Sequence, residues 1–135
     1  LVEGLQDGTI EIISSDHQPL AEEKKWVELD QVPFGIVGLE TLVPVCVQTL
    51  ISPGLLTWLQ LIAKLTTGPA ALLNLEAGTL SPGSVADVTL IDSEVEWTID
   101  ASQFASRSRN TPFDGHRVQG RAVCTIVGGE VRYRQ

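Results

Sequence analysis

An acid and an imidazole stand side by side at the end of an apolar run, and these are the residues best suited to chemistry. The run is Ile10-Glu11-Ile12-Ile13, and Asp16, His17 and Pro19 follow it. In barrel enzymes the catalytic groups project from the carboxyl ends of strands, so this position favours a reactive site. A carboxylate there could bind a metal ion or transfer a proton. The alternative is an ordinary strand that ends in an Asx-type turn at Asp16.

The elements around this pair are a strand before it and a loop after it. β-branched residues cluster in Thr9–Ser14, which follows the turn residues Asp7-Gly8 and predicts a buried strand. Residues 19–32 mix acids, lysines and Trp26 without a clear period, so we expect a loop with about one helical turn. Such a loop could lie over a site.

Helical periodicity follows from Gly38 onward. Apolar residues recur every three or four positions over residues 39–51, with Pro44 near the first turn and Pro53-Gly54 as the stop signal. Thr57 followed by Gln60 has the form of a capping box at the start of a second helix.

A third helix and a β region complete the pattern. Gly68-Pro69 predicts the end of the second helix and the start of a third through Leu75. Alternating apolar residues from Val88 to Ile99 then indicate half-buried antiparallel strands. Gly128-Gly129 predicts a hairpin between residues 122–127 and 131–133.

Composition excludes several classes of protein. The 135 residues are 43% hydrophobic and 19% charged, which favours a packed domain over disorder. The net charge of −8 opposes binding to nucleic acid or to an anionic membrane. The only cysteines, Cys46 and Cys124, form no motif, so we expect a reducing, cytoplasmic setting.

Three motifs in register resemble the C-terminal portion of a dihydroorotase of the bacterial class I, in the amidohydrolase superfamily. They are Asp16-His17-Gln18-Pro19-Leu20, the stretch from Pro33 to Thr41 and the stretch from Ser106 to Gly115, with Gly78-Thr79-Leu80, Gly83 and Ala86-Asp87 between the last two. The resemblance implies an α/β fold. Residues 1–77 would be the C-terminal part of a (β/α)8 metal-dependent hydrolase barrel, and residues 78–135 part of a small β-sandwich.

The resemblance also implies a chemistry. The activity would be the reversible hydrolysis of dihydroorotate to carbamoyl aspartate in pyrimidine biosynthesis, with zinc as cofactor. Asp16 would be the catalytic acid/base and a metal ligand, His17 would support it, and Phe34 and Gly35 would contact the substrate. The other zinc ligands are expected upstream of these residues, because His17 and His116 are the only histidines.

Leu20 departs from the family pattern, in which a histidine contacts the substrate carboxylate. Leucine can neither donate a hydrogen bond nor carry a charge. The alternatives are therefore a non-catalytic scaffold subunit, for instance one that partners aspartate transcarbamoylase, and a hydrolase of another cyclic amide.

Further expectations concern the surface, the completeness and the assembly of the chain. His116 is predicted to be a surface or interface residue, and Arg107 and Arg109 are predicted to be solvated or to bond within their Ser/Asn/Pro-rich loop. The sequence has no methionine and starts at Leu1, so we expect a fragment of a longer chain. We expect no activity from this fragment alone, because most of the metal ligands lie outside it. Exposed apolar faces predict a homo-oligomer.

Overall fold

The computed structural model describes residues 1–135, with helices in the first half of the chain and one sheet in the second half. The four α-helices are α1 (Val2–Asp7), α2 (Leu42–Cys46), α3 (Trp58–Leu65) and α4 (Thr67–Leu72). The three strands are β1 (Val88–Thr98), β2 (Arg117–Val127) and β3 (Glu130–Arg134). Short 3₁₀ turns lie at Glu22–Lys25 and Ala101–Gln103, and a π-helical turn at Val47–Ile51.

The prediction of a strand over Thr9–Ser14 is wrong for this chain. A strand needs a neighbour with which to form a hydrogen-bonded ladder, and no segment of the chain provides one here. The run is held instead by α3, since the Ile13 N–H donates to the Lys64 carbonyl at 3.1 Å. The Lys64 ammonium also donates to the Ile10 carbonyl at 2.6 Å. Asp7-Gly8 does not precede a strand either, because Gly8 is the left-handed cap of α1.

The predicted loop and the first predicted helix are confirmed. Glu22–Lys25 forms the single helical turn expected in the loop. The first helical hydrogen bond runs from the Leu42 N–H to the Gly38 carbonyl, and α2 then continues through the π-helical turn to Ile51. Pro44 lies in the first turn, where its missing N–H costs nothing.

The capping box at the start of α3 is confirmed. The Gln60 N–H donates to the Thr57 hydroxyl, and the Thr57 N–H donates to the Gln60 side chain. The next boundary differs from the prediction, since α3 ends at Leu65 and Gly68-Pro69 lies in the first turn of α4. Proline fits there because first-turn N–H groups have no helical acceptor, and α4 then ends at Leu72, short of Leu75.

The sheet confirms the antiparallel prediction. Its order is β1-β2-β3, and β1 pairs with β2 from Val88–Ile126 to Thr98–Arg117 with two irregularities in register. Gly128 and Gly129 connect β2 to β3 with positive φ angles of 58° and 82°, which glycine adopts without strain.

Two apolar clusters hold the chain together. One is formed in the helical half by Cys46, Leu50, Leu56 and Leu61. The other joins Val37 to residues of the sheet half, namely Ile99, Ala101, Phe104 and Val118. Because Val37 lies two residues after Gly35, this second cluster fixes the predicted site loop against the sheet. None of the helices has the length and apolar character needed to cross a bilayer.

Candidate functional site

Asp16 lies at the surface in an unusual backbone conformation. Its φ angle is 44°, in a region that residues other than glycine seldom occupy. The Gln18 N–H donates to the Ile36 carbonyl at 2.8 Å, so it does not close an Asx turn on Asp16. The Asp16 carboxylate instead accepts from the Gln18 side-chain amide at 3.1 Å. Asp16 is therefore an exposed carboxylate with one oxygen oriented by its neighbour.

His17 joins the Asp16 segment to the start of α2. Its Nδ1 accepts from the Gly38 N–H at 3.1 Å and from the Leu39 N–H at 3.4 Å. The backbone of His17 also forms an isolated parallel bridge with Ile36. An Nδ1 that accepts hydrogen bonds carries no proton, so this imidazole is bound as a structural acceptor on one side.

Phe34 and Gly35 lie on the loop that faces this segment. The Phe34 side chain is 95% exposed, and Gly35 has a φ angle of 118°. A Cβ on Gly35 would lie 2.6 Å from the Cβ of Gln18, which is closer than carbon atoms can approach. Gly35 is thus required both for its backbone angle and for the close contact, and Gln18 connects it to Asp16.

Two residues that the sequence did not single out hold this loop. The Lys25 ammonium donates to the Pro33 carbonyl at 2.6 Å and to the Gly35 carbonyl at 3.0 Å. The Asn110 side-chain amide also donates to the Gly35 carbonyl, at 2.8 Å. The sequence alone assigns no role to Lys25 and places Asn110 in a Ser/Asn/Pro-rich loop, so only the fold reveals that both bind the Gly35 carbonyl.

Leu20 replaces the histidine expected from the family pattern, but its backbone carbonyl accepts a hydrogen bond within the site. The Ser108 hydroxyl lies 2.7 Å from the Leu20 carbonyl and also contacts the Asn110 side-chain oxygen. Residues 106–111 therefore bind both site segments, the one that ends at Leu20 and the one that contains Gly35. The side chain of Leu20 offers no polar group to a ligand.

The remaining candidates are placed as predicted. The Arg109 guanidinium donates to the Ser106 carbonyl and, at 3.4 Å, to the Ser108 carbonyl, which confirms bonding within its loop. Arg107 is exposed. His116 is at the surface and stacks edge-on against Phe113 at 5.9 Å between ring centres.

A metal ion does not fit the residues of this chain alone. No group of three or more histidine, cysteine, aspartate or glutamate side chains lies close enough together to hold one. Asp16 is the one metal ligand that the resemblance implies among these residues, and the Nδ1 of its neighbour His17 already accepts from backbone N–H groups. A metal site here would need ligands from other residues.

A cavity of about 530 Å³ adjoins His17 but not Asp16 or Gly35. Its lining includes Glu40, Trp97 and Asp100. Hydrogen bonds from Ser102 hold the pKa of Asp100 below its ordinary value, and the Asp100 side chain caps the turn at Ala101–Gln103. The Asp100 carboxylate therefore stabilises this turn. The cavity does not coincide with the candidate site, because neither Asp16 nor Gly35 lines it.

Comparison with known families and sequences gives a consistent result. The model of the Amidohydrolase family matches residues 8–133. A dihydroorotase of Pelotomaculum thermopropionicum is 50% identical over 129 residues, which are 96% of this chain and 30% of that protein. A dihydroorotase of Bacillus thuringiensis is 46% identical over 135 residues, covering 100% of this chain and 32% of that protein. The chain thus spans about a third of the length of these relatives.

Two solved structures of similar fold are hydantoinases (dihydropyrimidinases). An L-hydantoinase (dihydropyrimidinase) from Arthrobacter aurescens has a TM-score of 0.90 and 34% identity, over 98% of this chain and 31% of that one. A D-hydantoinase (dihydropyrimidinase) from Thermus sp. has a TM-score of 0.89 and 27% identity, over 98% of this chain and 30% of that one.

Proposed function

Because the chain belongs to the amidohydrolase family, we propose that it forms part of a dihydroorotase, which interconverts dihydroorotate and carbamoyl aspartate in pyrimidine biosynthesis. The observation that carries this proposal is the identity of 46% to 50% to dihydroorotases along nearly the whole chain. The substrate would be a small cyclic amide, and the complete protein would be a hydrolase.

The proposed catalytic residue is Asp16. Ring opening adds water across the amide C–N bond, so the carbonyl carbon gains a hydroxyl group and the leaving nitrogen gains a proton. An exposed carboxylate can take the proton from water and return it to that nitrogen. The support for this role is its exposure, its left-handed backbone and the orientation of one of its oxygens by Gln18.

Phe34 and Gly35 are proposed to contact the substrate. A heterocycle can approach the backbone of Gly35 closely because glycine has no side chain. The link through Gln18 keeps this backbone near Asp16. A ligand that bridges the loop and the carboxylate would therefore place its amide near the proposed acid/base.

Zinc is the proposed cofactor, with Asp16 as the only ligand from these residues. The family implies a metal, and the residues described here do not complete a site for it. We propose that the complete protein supplies the other ligands within a (β/α)8 barrel. Residues 1–77 would belong to that barrel and residues 78–135 to a β-sandwich, in a cytoplasmic homo-oligomer.

A second candidate function is hydrolysis of another cyclic amide, such as a hydantoin. Two observations favour it: Leu20 lacks the polar group expected for the dihydroorotate carboxylate, and the similar solved structures are hydantoinases. Leu20 also agrees with a non-catalytic scaffold subunit that partners aspartate transcarbamoylase. An exposed acid at Asp16 favours the two enzymes over the scaffold.

A substrate panel with the full-length protein that carries these residues separates the candidates. The protein is supplied with zinc and assayed on dihydroorotate, hydantoin and dihydrouracil. We expect ring opening of dihydroorotate with the highest kcat/KM. A preference for hydantoin would support the second candidate, and no turnover of any ring would support the scaffold.

A further inference from the structure

We propose that Lys25 is a positioning residue that orients two backbone N–H groups, those of Phe34 and Gly35, toward an oxygen of the substrate. This inference deepens the proposed function and rests on it for the identity of the ligand. It concerns Lys25, to which the sequence alone assigns no role.

The first step is that Lys25 binds two carbonyl groups of the loop that contains Phe34 and Gly35. Its ammonium group binds the carbonyl before Phe34 and the carbonyl of Gly35, at 2.6 Å and 3.0 Å. Lys25 forms no ion pair, so these two carbonyl oxygens are the acceptors that stabilise its ammonium group. A charged donor shared by two carbonyls of one short loop is a strong local constraint.

The second step follows from the geometry of the peptide unit. In a trans peptide, the C=O and the following N–H point in opposite directions. Because the Pro33 carbonyl points toward Lys25, the Phe34 N–H points away from Lys25. The Gly35 carbonyl also accepts from the Asn110 side-chain amide at 2.8 Å, so two donors hold it in place. With the peptide planes on both sides of the Phe34-Gly35 unit fixed, that unit has little freedom left.

The third step is that the N–H groups of Phe34 and Gly35 donate to no other group of the chain. Neighbouring donors are used, because the Val37 and Gly38 N–H groups bind Asn110 and His17. Gly35 lies against Gln18, whose side chain binds the Asp16 carboxylate. Two adjacent unpaired donors in this loop suit a carbonyl or carboxylate oxygen of a cyclic amide. Lys25 would thus act on the substrate through the backbone, without touching it.

The test compares Lys25→Met with Lys24→Met in the full-length protein that carries these residues. Methionine keeps the length of the side chain but removes the donor. Lys24 is the matched control because it lies in the same 3₁₀ turn, is exposed and donates no side-chain hydrogen bond. We expect Lys25→Met to raise KM about tenfold with kcat nearly unchanged, because the lost contact binds substrate and transition state alike. Lys24→Met should leave both constants at their original values.

A second readout is independent of the reaction. Hydrogen–deuterium exchange of a peptide covering residues 33–37 should become faster in Lys25→Met and stay the same in Lys24→Met. If the original protein turns over no cyclic amide, the proposed function fails, and this exchange still decides whether Lys25 holds the loop. If Lys25→Met does not fold, Asn110→Ala is tested in its place, with the same increase in KM expected. An unchanged KM in the folded variant, or an equal increase in Lys24→Met, would overturn the proposal.

Discussion

At the scale of single residues, the candidate site is built around Gln18 rather than around a histidine. The Gln18 side chain donates to Asp16 and packs against Gly35, so one residue sets the spacing between the proposed acid/base and the proposed substrate loop. Sequence reasoning assigned roles to Asp16, Phe34 and Gly35 through the family motifs in which they lie, and these roles stay predictions. It could not identify Lys25 or Asn110, since their importance depends on carbonyl groups brought near them by folding.

The two thiols differ in their surroundings, and their reactivity should differ accordingly. Cys46 is buried, and burial raises the pKa of its thiol above the ordinary value, whereas Cys124 is partly exposed. Since the thiolate is the reactive form, iodoacetamide at pH 8 should label Cys124 well before Cys46. Mass spectrometry of the two peptides measures this order. In denaturant both should react at similar rates, and faster labelling of Cys46 in the folded protein would contradict its burial.

The same burial gives a sign to the dependence of stability on pH. Above the ordinary thiol pKa, the unfolded chain loses the Cys46 proton while the folded chain keeps it. The unfolded state then binds fewer protons, so this thiol makes the free energy of unfolding fall as the pH rises through that range. A Cys46→Ala variant should show a weaker fall in urea unfolding between pH 8 and pH 10.

At the scale of elements, the sequence correctly predicted features that depend on residues close together in the chain. The Thr57–Gln60 capping box, Pro44 in a first turn and the Gly128-Gly129 hairpin each depend on residues close in sequence, and each is present. The run Thr9–Ser14 failed as a strand because a strand depends on a neighbour elsewhere, which the pattern of the run itself cannot supply. The boundary at Gly68-Pro69 failed by a few residues, since proline can either stop a helix or occupy its first turn.

The capping box offers a direct test at this scale. Thr57→Ala removes the side-chain acceptor for the Gln60 N–H and should lower the free energy of unfolding by ~1 kcal/mol. Thr49→Ala is the control, because its hydroxyl donates to the Val45 carbonyl inside a helix and caps nothing. Urea unfolding of the two variants compares them. Equal losses would mean that the cap does not stabilise α3.

At the scale of the whole molecule, large apolar side chains remain uncovered. Leu29, Leu59 and Leu80 are 90%, 84% and 81% exposed, as is Phe34 of the site loop. We expect other polypeptide to pack against these side chains, because a contiguous exposed apolar patch usually marks an interface. The chain length relative to the dihydroorotases agrees with that reading, since the chain spans 30% to 32% of them.

We therefore expect the 135-residue chain to associate with itself. Light scattering should give a mass above the 14.6 kDa of one chain. Added salt should increase association, because it screens the repulsion between copies that each carry a net charge of −8. A monodisperse monomer at both low and high salt would contradict this expectation.

The central claim is that the Asp16 carboxylate transfers the proton in ring opening, and one substitution tests it most directly. Asp16→Asn keeps the size of the side chain and removes its ability to accept and return a proton. In the full-length protein with zinc, kcat for dihydroorotate should fall by a factor of ~10² or more. Asp30→Asn, in the exposed loop, is the matched control and should keep the original rate. An Asp16→Asn protein that opens the ring as fast as the original would contradict the account.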